Sequence, residues 1–138
     1  MAILLVLAVF FDRLSKVLIG AQPDFSLTLI TNFLLFEHAL NTQGPLGITV
    51  PGGLLLWGGV IVLIGLGVLV YFENKSLNRI LILTVFAGVL SNTYDRWADG
   101  YVVDVLKLAP GLIFNIADVM ILVGVSALVF INIYETRR

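Results

Sequence analysis

The sequence predicts an α-helical membrane protein: four transmembrane helices, with a small exoplasmic β-sheet between the first and second helices. Three observations carry this. Of 138 residues, 59% are hydrophobic and only 12% charged, with a mean hydropathy of +1.06; soluble domains run at roughly 25% charged residues. Four apolar stretches are long enough, alone or with flanking polar residues, to cross a bilayer. The connection from Gly20 to Gly53 contains no Lys or Arg and has alternating segments of strand type.

The first helix is expected over about 2–19, apolar from Ala2 to Phe11 and continuing through Asp12–Lys16. It lacks the basic start and small-residue cleavage site of a secretory signal, so it reads as a retained helix. Within the connection, Phe25-Ser-Leu-Thr-Leu-Ile alternates and Asn32–Leu40 follows, before Asn41-Thr-Gln-Gly-Pro-Leu-Gly breaks regular structure. The region of about 24–50 is therefore read as strand-rich. Leu54–Phe72 has no charge, and its 19 residues span ~28 Å, about one hydrocarbon thickness. The third helix is expected over about 79–95. The fourth is expected over about 112–134, after Pro110-Gly111. Residues 1–138 read as a single integral membrane domain.

Lys75 and Arg79 lie in the short link after the second span, and Arg137 and Arg138 end the chain. The positive-inside rule then makes that link and both termini cytoplasmic. Asp12, Lys16, Asn92, Asp95, Arg96, Asp104, Asn115 and Asp118 are placed near the outer face. Trp57, Trp97 and the tyrosines fit interfacial belts, and the glycines at 58, 59, 65 and 67 suggest close helix packing.

The chemistry narrows by elimination. Net charge is −1 with scattered basic residues, so no nucleic-acid-binding face is indicated. Cysteine is absent, which excludes disulfides, thiolate metal sites and a cysteine nucleophile. With His38 as the single histidine, one subunit cannot build a His-rich metal site, and neither metal nor cofactor is expected. Ser15-Lys16 has the wrong spacing for a Ser-x-x-Lys dyad.

Aspartates remain. Asn92, Asp95 and Arg96 fall at i, i+3 and i+4 on one helix face, where a local Asp–Arg pair is the plain structural reading. Asp12 and Lys16 fit an i, i+4 pair. Asp104 is flanked by valines and a leucine that disfavour a freely solvated loop. Asp118, two turns into a helix starting at Leu112, is too deep for simple capping. Two carboxylates that meet cannot both ionise easily, so they would share a proton. One could take a proton from water while the other polarises a carbonyl, hydrolysing a peptide without covalent intermediate or metal. On these grounds alone several aspartates compete, and a small proton-coupled transporter working as a dimer stays open, as does a non-catalytic scaffold. Transport favours an acid near the bilayer midplane.

The motifs resemble those of a known family. Asp12-Arg-Leu-Ser-Lys16 is similar to Asp-Gln-x-(Ser/Thr)-Lys, and Asn41-Thr-Gln-Gly-Pro-Leu-Gly47 to Asn-x-Gly-Ala-Ala-Phe-Gly. Asn92-Thr-Tyr-Asp95-Arg96 with Gly100-Tyr-Val-Val-Asp104 resembles Gly-Asn-x-x-Asp-Arg…Gly-x-Val-Val-Asp-Phe. Phe114-Asn-Ile-Ala-Asp118 reproduces Phe-Asn-x-Ala-Asp. Across nearly its whole length the chain looks like a divergent lipoprotein signal peptidase, the bacterial type II signal peptidase, an aspartyl endopeptidase with four transmembrane helices.

The resemblance implies that Asp104 and Asp118 are the catalytic pair. It implies substrate-binding or supporting roles for Asp12, Lys16, Asn41, Asn92, Asp95, Arg96 and Asn115. The implied substrate is a prolipoprotein bearing diacylglyceryl on its cysteine, cut just before that residue in the bacterial inner membrane, with membrane lipids as surroundings and a monomer as the working unit. Arg13 stands where the family has Gln, Gln43 where it has Gly, Pro45-Leu46 where it has Ala-Phe, Ser91 where it has Gly, and Val105 where it has Phe. The connection from Asp104 to Phe114 is also short.

Overall fold

The computed structural model describes residues 2–44, 50–109 and 111–136. Pro45-Leu46-Gly47, the end of the first connection's motif, lies outside the described residues. Among the described residues, four helices and four strands follow in the order α1 (Ala2–Gly20), β1 (Ser26–Ile30), β2 (Leu34–Asn41), α2 (Gly52–Phe72), α3 (Ser76–Ala98), β3 (Val102–Leu108), β4 (Leu112–Phe114) and α4 (Ile116–Thr136). Gly53–Phe72, Ser76–Ala98 and Ile116–Thr136 are long and apolar enough to cross a membrane. The remaining helix, α1, carries Asp12, Arg13 and Lys16 in its second half.

The sheet is larger than the first connection alone. Its strands run antiparallel in the order β1-β2-β3-β4, so half of it comes from the connection between α3 and α4. Val102–Leu108 is an apolar stretch because it pairs with β2, Asn41 opposite Val102 and Ala39 opposite Asp104. β4 takes the first three residues expected of the fourth helix, and α4 starts four residues late, at Ile116. The reason is local: β4 pairs with β3, Leu112 opposite Leu108, and Asn115 then caps the helix. In consequence Asp118 stands in the first turn of α4 rather than two turns in. α3 begins three residues early and ends three late.

α3 is the central helix. In its most apolar window 44% of residues are buried, against 17% for α4 and none for α2. The α3–α4 crossing is tight at Gly88 and Gly124. A Cβ at Gly88 would lie 2.6 Å from the Ala117 carbonyl oxygen, and one at Gly124 would lie 2.6 Å from Val85 Cγ2. Of the glycines expected to pack closely, only Gly59 does, against the Thr93 side chain; at Gly58, Gly65 and Gly67 a Cβ would meet nothing within 4 Å. Apolar burial is modest, with Leu81, Ile82, Val85, Val102, Val105, Ala117 and Met120 among the buried residues. At the sheet end the interior turns polar: Asp12, Lys16, Ser91, Asn92, Asp95, Asp104 and Asn115 are all buried.

Candidate active site

Asp118 is held by its own helix start. Its backbone N–H donates to Asn115 Oδ1 at 2.9 Å, and the Asn115 N–H donates back to Asp118 Oδ2 at 3.2 Å. This reciprocal pair is a capping box with shortened side chains. So Asp118 does cap, contrary to the sequence expectation. The neighbouring Ala117 N–H donates to Asp12 Oδ1 at 2.8 Å, which brings a carboxylate from α1 to the positive end of α4.

Asp104 comes from the sheet. On β3 it faces β2, and Asn41 Nδ2 donates to its Oδ2 at 2.8 Å. Asn115 Nδ2 donates to its Oδ1 at 2.7 Å. Burial pushes the Asp104 carboxyl above its ordinary value, with the charge of Asp118 adding to the rise; the Asn41 and Asn115 amides and the Lys16 ammonium oppose it.

Asparagines join the two carboxylates. Asn92 Nδ2 donates to Asp118 Oδ1 at 2.8 Å, while Asn92 Oδ1 accepts from Asn115 Nδ2 at 3.2 Å and from Lys16 Nζ at 3.1 Å. Each of the four carboxylate oxygens thus receives an N–H donor. The amide orientations are fixed in turn, because Asn41 Oδ1 accepts the Gln43 N–H at 2.9 Å and Asn115 Oδ1 accepts from Asp118.

Lys16 anchors this network from behind. Its ammonium lies 2.9 Å from Asp12 Oδ2 and 2.7 Å from Asp95 Oδ2, and all three side chains are almost fully buried. The expected i, i+4 pair of Asp12 and Lys16 forms. Asp95, by contrast, does not pair with the adjacent Arg96. It bridges Lys16 and Arg13, the latter at 2.5 Å. Arg96 turns to backbone carbonyls, donating to Asn92 O at 3.2 Å and Gln43 O at 3.3 Å, which ties α3 to the chain after β2.

All nine residues singled out in the sequence therefore meet in one polar cluster. Two members were missed. Ser91 donates to Asp12 Oδ2 at 2.6 Å and lies 3.3 Å from Lys16 Nζ. Arg13 neutralises Asp95 and sits 5.2 Å over the Tyr94 ring. The signal available was that both are departures from the family pattern, each adjacent to a motif residue.

The cluster opens on an apolar cleft of about 410 Å³ between α2, α3 and α4. Leu54, Leu55, Val62 and Ile121 line its walls, and Asn92, Arg96 and Asp118 line its polar end. Gly58 and Gly59 leave the α2 wall without side chains. Of the two carboxylates, Asp118 lines the cleft, and Asp104 reaches it only through the Asn115 and Asn92 amides.

The family model of Peptidase A8, signal peptidase (SPase) II, matches residues 4–134. A lipoprotein signal peptidase of Moorella thermoacetica is 34% identical over 131 residues, covering 91% of this chain and 85% of the relative. That of Desulfitobacterium hafniense is 32% identical over 138 residues, covering 92% and 88%. A bacterial membrane enzyme solved by the in meso method at 2.3 Å resolution superposes with a TM-score of 0.84 at 28% identity, covering 97% of this chain and 87% of that one. On sequence and fold together, this chain belongs to the signal peptidase II family of aspartic proteases.

Proposed function

We propose that the protein is an intramembrane aspartyl endopeptidase that removes the signal peptide from diacylglyceryl-modified prolipoproteins, cutting just before the lipidated cysteine. The observation that carries the reading is the amide-bridged pair of carboxylates at the end of an apolar cleft. Supporting it, the relatives are lipoprotein signal peptidases over nearly their full length.

Asp104 and Asp118 share one proton between them and together activate water. The ionised member takes a proton from the water as its oxygen attacks the scissile carbonyl carbon. The protonated member delivers its proton to the carbonyl oxygen, giving a tetrahedral gem-diol. Collapse of that diol breaks the C–N bond as a proton passes to the leaving nitrogen, and the shared proton is restored. Asn41, Asn92 and Asn115 present N–H groups to the carboxylates throughout, so the pair is oriented before substrate arrives. Arg96 and Asn92 border the cleft where a peptide backbone would lie.

In this reading all four helices span the inner membrane of a bacterium, with α1 keeping Asp12 and Lys16 inside the bundle, and the protein works as a monomer. The termini and the α2–α3 link face the cytoplasm and the sheet faces out. The pairing of Lys75 with Glu135 supports placing that link and the end of α4 at one face.

The test is cleavage of a lipid-modified prolipoprotein by Asp104→Asn and Asp118→Asn. Each amide keeps the shape and removes the titration. Both variants are expected to lose turnover, and near-normal turnover in either would remove the dyad. Asp95→Asn, which loosens Lys16 and Arg13 without touching the pair, is expected to reduce rate or folding while leaving measurable cleavage.

A further inference from the structure

A second cavity, of about 430 Å³, lies among α1, the end of α3 and the sheet. Val103 lines it, and neighbouring strand residues point to opposite faces, so it is on the other face of β3 from Asp104. Its ionisable lining comprises Arg13, Lys16, His38, Asp95, Asp99 and Tyr101. Lys16 and Asp95 pair with each other at the floor, Lys16 also with Asp12 and Asp95 also with Arg13.

The rim is different. The side chains of His38, Asp99 and Tyr101 make no hydrogen bond or ion pair among the described residues. Arg13 uses one guanidinium nitrogen on Asp95 and remains about one-third exposed. Donors and a carboxylate therefore face one polar space without partners inside the protein.

The aromatic and apolar side chains around it point to the class of ligand. Beside Arg13, the exposed Tyr94 and Trp97 rings pack at a tilt with centroids 6.0 Å apart, and exposed tyrosines and tryptophans at a helix end are typical of the headgroup level of a bilayer. Val17, which lines the cavity, and the neighbouring Leu18 present exposed apolar surface beside it. A guanidinium is planar and matches the oxygens of a phosphate in a fork, and Asp99 offers a carboxylate of opposite sign within the same cavity.

We propose that this cavity binds a phosphodiester that carries a primary ammonium, the phosphate on Arg13, His38 and Tyr101 and the ammonium on Asp99. A phospholipid headgroup and a free glycerophosphodiester share this chemistry. The site is separate from the carboxylate pair, and its occupancy can be read without any cleavage.

The experiment is native mass spectrometry of the full chain released from nanodiscs of mixed phosphatidylethanolamine and phosphatidylglycerol. Wild type is expected to retain one phosphatidylethanolamine in preference to phosphatidylglycerol. Loss of one charge-assisted hydrogen bond in Asp99→Asn should cut that preference about tenfold. His38→Gln should weaken retention of both lipids. Asp24→Asn, an exposed carboxylate outside the cavity, should change nothing. Soluble glycerophosphoethanolamine, added to protein in detergent, separates the sources. Displacement of the lipid with the same Asp99 dependence supports the site with a free ligand, and failure to displace a lipid that shows that dependence supports it with a bilayer ligand. No headgroup preference in wild type, or equal behaviour of Asp99→Asn and Asp24→Asn, overturns the proposal.

Discussion

At the sheet end of the bundle, Lys16 sits between Asp12 and Asp95 with side-chain exposures of 2%, 1% and 5%. At the opposite end Lys75 pairs with Glu135, at 57% and 44%. Lys16 ties α1 to α3 through Asp95, and Lys75, at the head of α3, ties it to α4, yet the two answer to different physics. Water and salt screen the exposed pair, which contributes little. The buried set carries a desolvation cost that only close geometry and further hydrogen bonds offset. Carboxylates respond to the same divide. The exposed Glu73 is drawn below its ordinary value by the backbone N–H of Lys75, whereas burial pushes Asp104 up. Charge at the sheet end is thus held against its own preference, in a frame that ends on Asp104 and Asp118.

Breaking that frame at its centre should have the largest effect. Asp104→Asn or Asp118→Asn is expected to lower turnover by at least ~10³-fold, the scale of loss when a member of a catalytic unit is removed, in a cleavage assay with equal amounts of folded protein. Next comes Lys16→Met, which leaves the buried Asp12 carboxylate without a cation and Asp95 with Arg13 alone. Stranding a buried charge costs roughly 3–5 kcal/mol, so thermal unfolding in detergent should show a markedly lower midpoint, with activity falling in parallel.

A smaller change is expected from Ser91→Ala. It removes the hydrogen bonds to the Asp12 carboxylate and from the Lys16 ammonium, each on the order of 1.5–3 kcal/mol, and loosens Asp12, which holds the Ala117 N–H. Turnover should fall several-fold with KM little changed, and Ser91→Thr should restore much of it. The pH dependence follows from Asp104. Its raised value means the folded state retains a proton that the unfolded chain has released. The folded state therefore loses stability as pH rises above about 4, the ordinary carboxylate range, and through the folded-state value. Unfolding midpoints measured across pH should show this decline, and Asp104→Asn should flatten it. At the other end of the bundle, Lys75→Ala is expected to shift stability by no more than ~0.5 kcal/mol and leave cleavage intact. A large effect there would erase the contrast between the two ends.

The helices were legible because lipid-facing apolar runs of about 20 residues have few alternatives. What ran continuous with an apolar run was harder to divide. Leu112–Phe114 is as apolar as the helix that follows, and only the capping pair of Asn115 and Asp118 shows where the helix begins. Val102–Leu108 was legible as apolar but not as a strand, because its partner, β2, lies some 60 residues earlier. The site residues were visible as motifs, yet their partners were not. Proximity along the helix favours Arg96 for Asp95, and tertiary packing supplies Lys16 and Arg13 instead. Ser91 and Arg13 looked like departures until their contacts placed them in the same cluster.

The most direct measurement is the single-turnover rate of Asp104→Asn, Asp118→Asn and the double variant on one lipid-modified prolipoprotein. If the two carboxylates act as one proton-sharing unit, each single variant falls as far as the double. Substantial turnover in either single variant, or a double variant slower by the product of two separate losses, would contradict that account.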